Sequence, residues 1–288
     1  MTKNIQFDRY KRLISFIDQN FKDDINIQRI EQVCHYSYRN INRIFEAIHG
    51  ETIGKYINRL RLEKAAQYLK YSNMGVADIA FEVSFEERSS FNRAFKKKYG
   101  FTPSAFRSKK DSSREILRRS ILKKEGEGRK TLEFEIEFLP NFEFIYLEYR
   151  GHYDDILAME EKSLELYRYG LDRDILGPRS IFFTEIKDDS EISDHLRLRH
   201  HLGFILDGPL NFEPTGLYRT KKHRKQKYAK FSHEGSHKQT LNYYTEIYAF
   251  WILEVGLELE DLPSLEYYPN YETNPRDQMI TEIYIPIV

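Results

Sequence analysis

Cysteine is almost missing from this chain of 288 residues. Cys34 stands alone, so no internal disulfide can form and a disulfide-stapled small fold is excluded. No run of about 18 apolar residues occurs, and the N-terminus has no long apolar core of the signal-peptide kind. A cytoplasmic protein with no membrane contact is therefore expected. Net charge is missing too, since 45 Lys and Arg balance 45 Asp and Glu. What is present, 40% apolar residues and 31% charged, suits globular domains, and the length suits two of them. The zero conceals an asymmetry. Residues 1–110 hold 21 Lys and Arg against 12 Asp and Glu, and the remainder holds 24 against 33, so the two parts are +9 and −9. A first part that meets a polyanion and a second part that does not is the plainest reading.

Glycine is scarce in residues 1–107, where it occurs only at 50, 54, 75 and 100, and long helices are permitted. Tyr10, Ile14, Ile17 and Phe21 recur at helical spacing and predict one apolar stripe. An internal repeat follows. RNINRIFEAIHGETIGKY (39–56) aligns with SSFNRAFKKKYGFTPSAF (89–106), which places Asn42 on Asn92, Arg43 on Arg93, Phe45 on Phe95, Gly50 on Gly100 and Thr52 on Thr102. Each copy has the layout of a helix-turn-helix. In the first, Ile41, Ile44, Phe45 and Ile48 predict the buried stripe, and Arg39, Asn42 and Arg43 the outward face. In the second, Phe91, Ala94 and Phe95 point inward, and Arg88, Ser89, Asn92 and Arg93 outward. Arginine can pair with guanine acceptors and asparagine with the adenine edge, each worth about 1–3 kcal/mol of discrimination. A solvated helix face is the bland alternative, but two similar faces on a repeated unit of charge +9 favour a reader of double-stranded DNA.

Residues 27–107 resemble the DNA-binding domain of the AraC/XylS family, whose signature is close to IADIAFEVGF...FxRxFKxxxGxxPxxxR. Here VADIAFEVSFEERSSFNRAFKKKYGFTPSAFR runs from Val76 to Arg107. The resemblance implies two helix-turn-helix units joined by a long helix, KYINRLRLEKAAQYLK (55–70), with recognition helices in successive major grooves. It also makes RNA polymerase a candidate partner. Glu31, His35 and Ser84 depart from the usual alanine, glycine and glycine, which bears on the tightness of the turns.

A charged stretch over 108–130, with glycines at 126 and 128, reads as a linker. From Thr131 the pattern changes to β-rich runs, FEFIYLEY (142–149), RSIFFTEI (179–186) and ITEIYIPIV (280–288), with helical runs between them. Gly151 and Gly235 mark a second repeat with a period of 84 residues. Strand, helix, strand, strand occurs twice. The expected whole is multidomain: an all-α double helix-turn-helix domain over 1–107, the linker, and an α+β domain over 131–288.

HEGSH (233–237) fits the zinc-peptidase pattern H-E-x-x-H. That pattern works only where both histidines share one helix face. Gly235 aligns with Gly151 at a strand-to-helix junction, so His233 belongs to a strand and His237 to the first helical turn. His195, His200, His201 and His223 show no convergent ligand spacing, and Ser232 and Ser236 lack a G-x-S-x-G context. Neither metal, cofactor nor catalytic residue is expected.

The doubled plan of 131–288 resembles the GyrI-like (Rob-type) effector-binding domain, through the glycine after the first long strand of each repeat, LEYYP (265–269) and TEIYIP (281–286). The resemblance implies a groove between the repeats for a lipophilic, often cationic small molecule, with a last-strand glutamate, Glu282 here, as the pocket acid. The residues support an aromatic cation as ligand. Trp251, Tyr248, Tyr268 and Phe183 supply rings, Glu266 a further acid, and ring faces attract positive charge by about 0.5–2 kcal/mol each. Plain core packing is the alternative for any one ring. Glu282 stands out because it interrupts an apolar strand, where a buried charge costs several kcal/mol unless paired. Two other functions stay open. A hydrolase would join Glu282 to a second carboxylate, Glu266 or Glu185, across a water, and a ligand-free interaction module would have its groove plugged by its own side chains.

Overall fold

The computed structural model describes residues 2–110, 132–153, 155–177, 180–190, 192–194, 197–248, 257–269 and 279–288. The chain divides into two compact units, Met1–Arg114 and Glu115–Val288. Most of the expected linker, 111–130, and Trp251 lie outside the described residues.

The first unit is helical: α1 (Thr2–Asn20), α2 (Ile27–Cys34), α3 (Tyr38–His49), α4 (Ile53–Tyr71), α5 (Val76–Glu82) and α6 (Arg88–Tyr99), then helical residues 103–110. The α1 stripe is buried at Tyr10, Ile14 and Ile17, and Phe21 packs against the same core. Asn26 and Thr52 cap α2 and α4 by accepting from the N–H groups of Arg29 and Lys55. Ser37 makes no such bond, and Glu31 takes over, its Oε1 accepting the Tyr38 N–H at 2.7 Å. His35 and Ser84 sit in the left-handed region at φ 48° and 57°, which explains why glycine is usual there. The Ser84 hydroxyl also donates to the Lys22 carbonyl. In α3 the inward stripe is narrower than the spacing predicts. Ile41 and Phe45 are fully buried, while Ile48 is 52% exposed.

Helix α4 is the shared core of both repeats. It buries Tyr56, Leu60, Ala65, Ala66 and Leu69 together with the charged Arg59 and Glu63. Arg59 donates to Glu51 (3.0 Å) and Glu63 (3.2 Å), and Lys98 of α6 reaches Glu63 at 3.0 Å. Burial opposes the guanidinium charge, but Glu63 and Glu51 outweigh it and hold the Arg59 pKa above its ordinary value. Arg61 donates to the carbonyls of Phe21 (2.7 Å), Asp23 (2.6 Å) and Ser84 (3.2 Å), tying the end of α1 to the second turn. Replacing Arg59 with alanine would leave two buried carboxylates facing each other. The expected cost is about 3–5 kcal/mol, read as a lower denaturant midpoint for the helical unit, whereas Lys98→Ala should cost much less because that lysine is partly solvated.

The second unit carries an antiparallel sheet of β1 (Glu135–Leu139), β2 (Phe142–Arg150), β3 (Phe182–Ile186), β4 (Arg199–Ile205), β5 (Arg219–His223), β6 (Gln226–Glu234), β7 (Ser264–Tyr267) and β8 (Ile280–Pro286). Helix α7 (Ile156–Leu171) follows β2 and α8 (His237–Glu246) follows β6. The predicted strand, helix, strand, strand order holds in each repeat, and each is preceded by one further strand, β1 or β5. The sheet order is β1-β6-β8-β7-β3-β4-β2-β5. Advancing every strand by one repeat reverses this order onto itself, so the two halves are related by a pseudo-two-fold axis between β3 and β7. The leading strands are exchanged. β1 pairs with β6 of the second repeat, and β5 with β2 of the first.

This exchange curls the sheet. Pro140 and Asn141 alone join β1 at one end to β2 near the other, and such a link spans about 10 Å at most. The equivalent link, Arg224-Lys225, meets it. The Lys225 N–H donates to Asn141 Oδ1 at 2.7 Å, and the His223 ring stacks on Phe142 at 4.3 Å. One face of the sheet packs on the helices, with Ile145, Leu147, Leu202 and Phe204 in the α7 half and Ala229, Phe231, Ile283 and Ile285 in the α8 half. The other face closes on itself through Phe144, Tyr146, Phe183, Tyr228, Tyr267 and Tyr284.

Candidate functional site

Two separate sets of residues carry chemistry. On α3, Arg39 and Arg43 are exposed, and on α6 so are Arg88, Ser89 and Arg93, with the Ser89 hydroxyl donating to Glu87 at 3.0 Å. The asparagines differ from their expected place on the outward face. Asn42 lies one step around the helix from the buried Ile41, and its Oδ1 accepts the Ile53 N–H at 2.9 Å, clamping the start of α4. Asn92 is its repeat partner, but the residue equivalent to Ile53 is Pro103, which has no N–H to offer. The Asn92 Oδ1 is buried without a hydrogen-bond partner. The arginines are thus free for a groove, while Asn42 is engaged by the following helix and the Asn92 Oδ1 is buried.

In the second unit the face of the sheet sorts the candidate residues, because residues paired across antiparallel strands share a face. Glu282 pairs with Tyr267, and Glu266 with Ile283. Glu282 and Phe183 therefore lie on the aromatic face and Glu266 on the helix-covered face. On the aromatic face Glu137, Glu148, Glu185 and Glu282 already have cations. Glu282 holds Lys230 at 2.8 Å and accepts from the Tyr284 hydroxyl at 3.2 Å, with Glu137 reaching the same lysine at 3.7 Å. Glu185 meets the His201 Nδ1 at 2.6 Å and also Lys221, and Glu148 meets Arg150 at 2.6 Å. Burial works against the charges of Glu148 and Glu185. Arg150 with His201 and Arg219 for the first, and Lys187 with Lys221 and His201 for the second, outweigh it and hold both carboxyls well below the ordinary range.

Depressed folded-state pKa values stabilise the fold above the unfolded-state value, and that contribution is lost as pH falls through the folded one. What Glu148 and Glu185 contribute to the stability of this unit should be constant above about pH 5 and decline below roughly pH 4.5. Glu148→Gln and Glu185→Gln should each flatten the acid limb when unfolding is followed against pH.

Glu266 on β7 is different. It is fully buried. The Tyr153 hydroxyl donates to its Oε1 at 2.7 Å and the Tyr268 hydroxyl to its Oε2 at 2.6 Å, while Tyr268 also reaches the Thr184 hydroxyl at 3.1 Å. The Tyr244 hydroxyl is buried against the same carboxylate without meeting hydrogen-bond geometry. Burial and then the Glu266 charge push Tyr153 and Tyr244 well above the usual phenol range, so both remain proton donors. Tyr248 stacks on Tyr244 at 6.2 Å and meets Ser264 at 3.4 Å. Among the described residues no lysine, arginine or histidine lies within ion-pair distance of Glu266.

Of the six residues expected at a ligand, Glu266, Tyr268 and Tyr248 thus fall on one side of the sheet, Glu282 and Phe183 on the other, and Trp251 outside the described residues. Tyr153 and Tyr244 were not foreseen, although each lies in a segment next to a repeat-marking glycine or its helix. A surface cavity of about 350 Å³ between Arg168, Tyr169, Arg173 and Tyr218 is a separate feature, and its Glu165 is already held by Lys162 at 2.6 Å. HEGSH spans the end of β6 and the start of α8. Ser236 and Gln239 form a capping box there, and the His233 ring stacks on Tyr243 at 5.0 Å.

The fold and its exposed arginines define a double helix-turn-helix unit joined to a duplicated α+β unit. Residues 31–109 match the model described as a helix-turn-helix domain, and residues 132–288 the model described as a GyrI-like small molecule binding domain. The chain belongs to the GyrI-like family, with an AraC-type helix-turn-helix DNA-binding domain ahead of the small-molecule-binding one. It is similar to the probable transcription factor PqrA of Proteus vulgaris, 35% identical over 107 residues, which are 37% of this chain and 86% of that one. It is also similar to the bifunctional transcriptional activator/DNA repair enzyme AdaA of Bacillus subtilis (strain 168), 35% identical over 95 residues, 33% of this chain and 45% of that one. The transcriptional activator RhaS of Escherichia coli O139:H28 is 29% identical over 103 residues, 36% of this chain and 37% of that one. The chain thus spans under half the length of the latter two. No helix among the described residues is long and apolar enough to cross a membrane.

Proposed function

We propose that the chain is a sequence-specific, DNA-binding transcription regulator whose second unit takes a lipophilic, delocalised cation at Glu266. The carrying observation is the state of that carboxylate, fully buried, held by tyrosine hydroxyls and without a cation among the described residues. A buried charge left in this way costs several kcal/mol, and a cation wedged among Tyr153, Tyr244 and Tyr268 would recover part of it through charge and ring faces. Tyr268 is partly exposed and marks the side from which a ligand would enter. Glu282, whose lysine fills the role of that cation, becomes a structural acid. The hydrolase reading loses its support because Glu266 lies across the sheet from Glu282, and Glu185 is engaged by His201 and Lys221. The aromatic face is filled by its own side chains, which favours an interaction module there but leaves the helix side to a ligand. RNA polymerase is the partner that a promoter-bound regulator of this kind would meet.

Ethidium and its neutral dihydro form, titrated into the DNA-free chain by calorimetry, test the ligand site. Glu266→Gln should weaken ethidium by about 1–3 kcal/mol and the neutral form much less, and Glu282→Gln should alter neither. Equal losses for both dyes would reduce Glu266 to a packing role. For DNA, Arg43→Ala and Arg93→Ala should each cost about 1–3 kcal/mol on a selected duplex and relax one base preference. Footprints and affinities matching the parent would overturn the assignment of α3 and α6 as readers.

A further inference from the structure

The charge of −9 beyond residue 110 hides a basic run. RTKKHRKQK (219–227) holds six Lys and Arg and no acid. It forms β5, at one end of the sheet, and the Arg224-Lys225 link into β6. Charged edge strands discourage edge-to-edge aggregation whichever sign they carry. The pseudo-symmetric edge shows this, since Glu135, Glu137, Phe138, Pro140 and Asn141 stand where Arg219, Lys221, Lys222, Arg224 and Lys225 stand 84 residues later. The fold does not need a basic sign here, so that sign calls for a partner.

The run divides by what each cation meets. Lys221 pairs with Glu185, Arg219 lies over Tyr146, Lys225 over Phe138, and Lys227 donates to the Val288 carbonyl. Lys222 and Arg224 are exposed. Their backbone is held in place, with β5 paired to β2, the His223 Nδ1 at 3.1 Å from the Pro140 carbonyl and Lys225 clamped by Asn141. A fixed ridge presenting a guanidinium fork and an ammonium suits phosphate oxygens.

We infer that the β5–β6 link is a second DNA contact, in which Lys222 and Arg224 meet backbone phosphates outside the site read by α3 and α6. The inference rests on the DNA-reading role proposed for Met1–Arg114. A chain already held by that unit makes the second contact intramolecularly, so two phosphates suffice to matter. The contact reads no sequence and sets how far along the duplex the protein is held.

The test uses the full chain and a duplex selected from a random pool, once trimmed to the footprint and once extended by about two helical turns, or roughly 20 base pairs, on each side. Lys222→Ala/Arg224→Ala should lower the slope of log affinity against log salt by about 1–2 on the long duplex, at about 0.9 per phosphate released. On the trimmed duplex the variant and the parent should coincide. Equal slopes on the long duplex overturn the inference, and if Arg43→Ala still loses affinity, the reading unit survives it. A parent that selects no duplex removes both. A double variant with unchanged DNA slopes but altered sedimentation of the free protein would make the ridge a contact between copies and sink the DNA assignment.

Discussion

A strand has two sides, and in Glu115–Val288 the side on which an acid falls decides whether it meets a cation. Glu137, Glu148, Glu185 and Glu282 lie on the face where Lys221, Lys230, Arg150 and His201 also point, and each is neutralised within the chain. Glu266, one residue out of phase, lies on the face that the helices cover, and hydroxyl groups are its donors. Shifting β7 by one residue would put Glu266 among the lysines and Tyr267 under the helices. The β3–β7 and β7–β8 registers therefore decide which acid meets a cation, more than any property of the side chains.

The helical unit answers a different constraint. Two short repeats cannot each build a core, so α4 serves both, burying apolar residues around most of its circumference. Charged groups inside such a helix must be paired, and the Arg59 cluster does so across α4 and α6. Arg61 then satisfies carbonyls just beyond the ends of α1 and α5. The outward arginines of α3 and α6 depend on this shared scaffold for their spacing. The repeat is not exact in its chemistry, because Pro103 removes the N–H that Ile53 gives to Asn42.

What was legible in the residues was what depends on neighbours close in sequence. The stripe of α1, the two recognition helices and the connecting helix follow from spacings of three and four, and α4 runs slightly past its expected ends at 55 and 70. The alternation of Ile280, Glu282 and Tyr284 was also readable. Which face of the strand meets a helix was not, since it is set by pairing with β6 and β7, distant in sequence. Strands β1 and β5 are hard to read because both are edges: EIEFL leaves its apolar Ile136 and Phe138 exposed, and RTKKH has no apolar residue at all. Helical spacing puts Asn42 on the outward face, but it cannot say whether a flank residue turns to solvent or, as here, to the next helix.

The exchange of leading strands has a consequence for ancestry. Neither repeat supplies its own edge, since β1 completes the second half and β5 the first. A single-copy forerunner of this fold could have formed the same sheet only as a pair of identical chains, each lending its first strand to the other. Fusion of two copies would then have freed the two halves to diverge, so that one edge became acidic and the other basic, and a carboxylate could occupy one middle strand opposite a threonine in the other. In a symmetric pair every charge comes twice. Glu266 faces Thr184 across the axis, and a ligand site with one acid is open only to a chain that has stopped being symmetric.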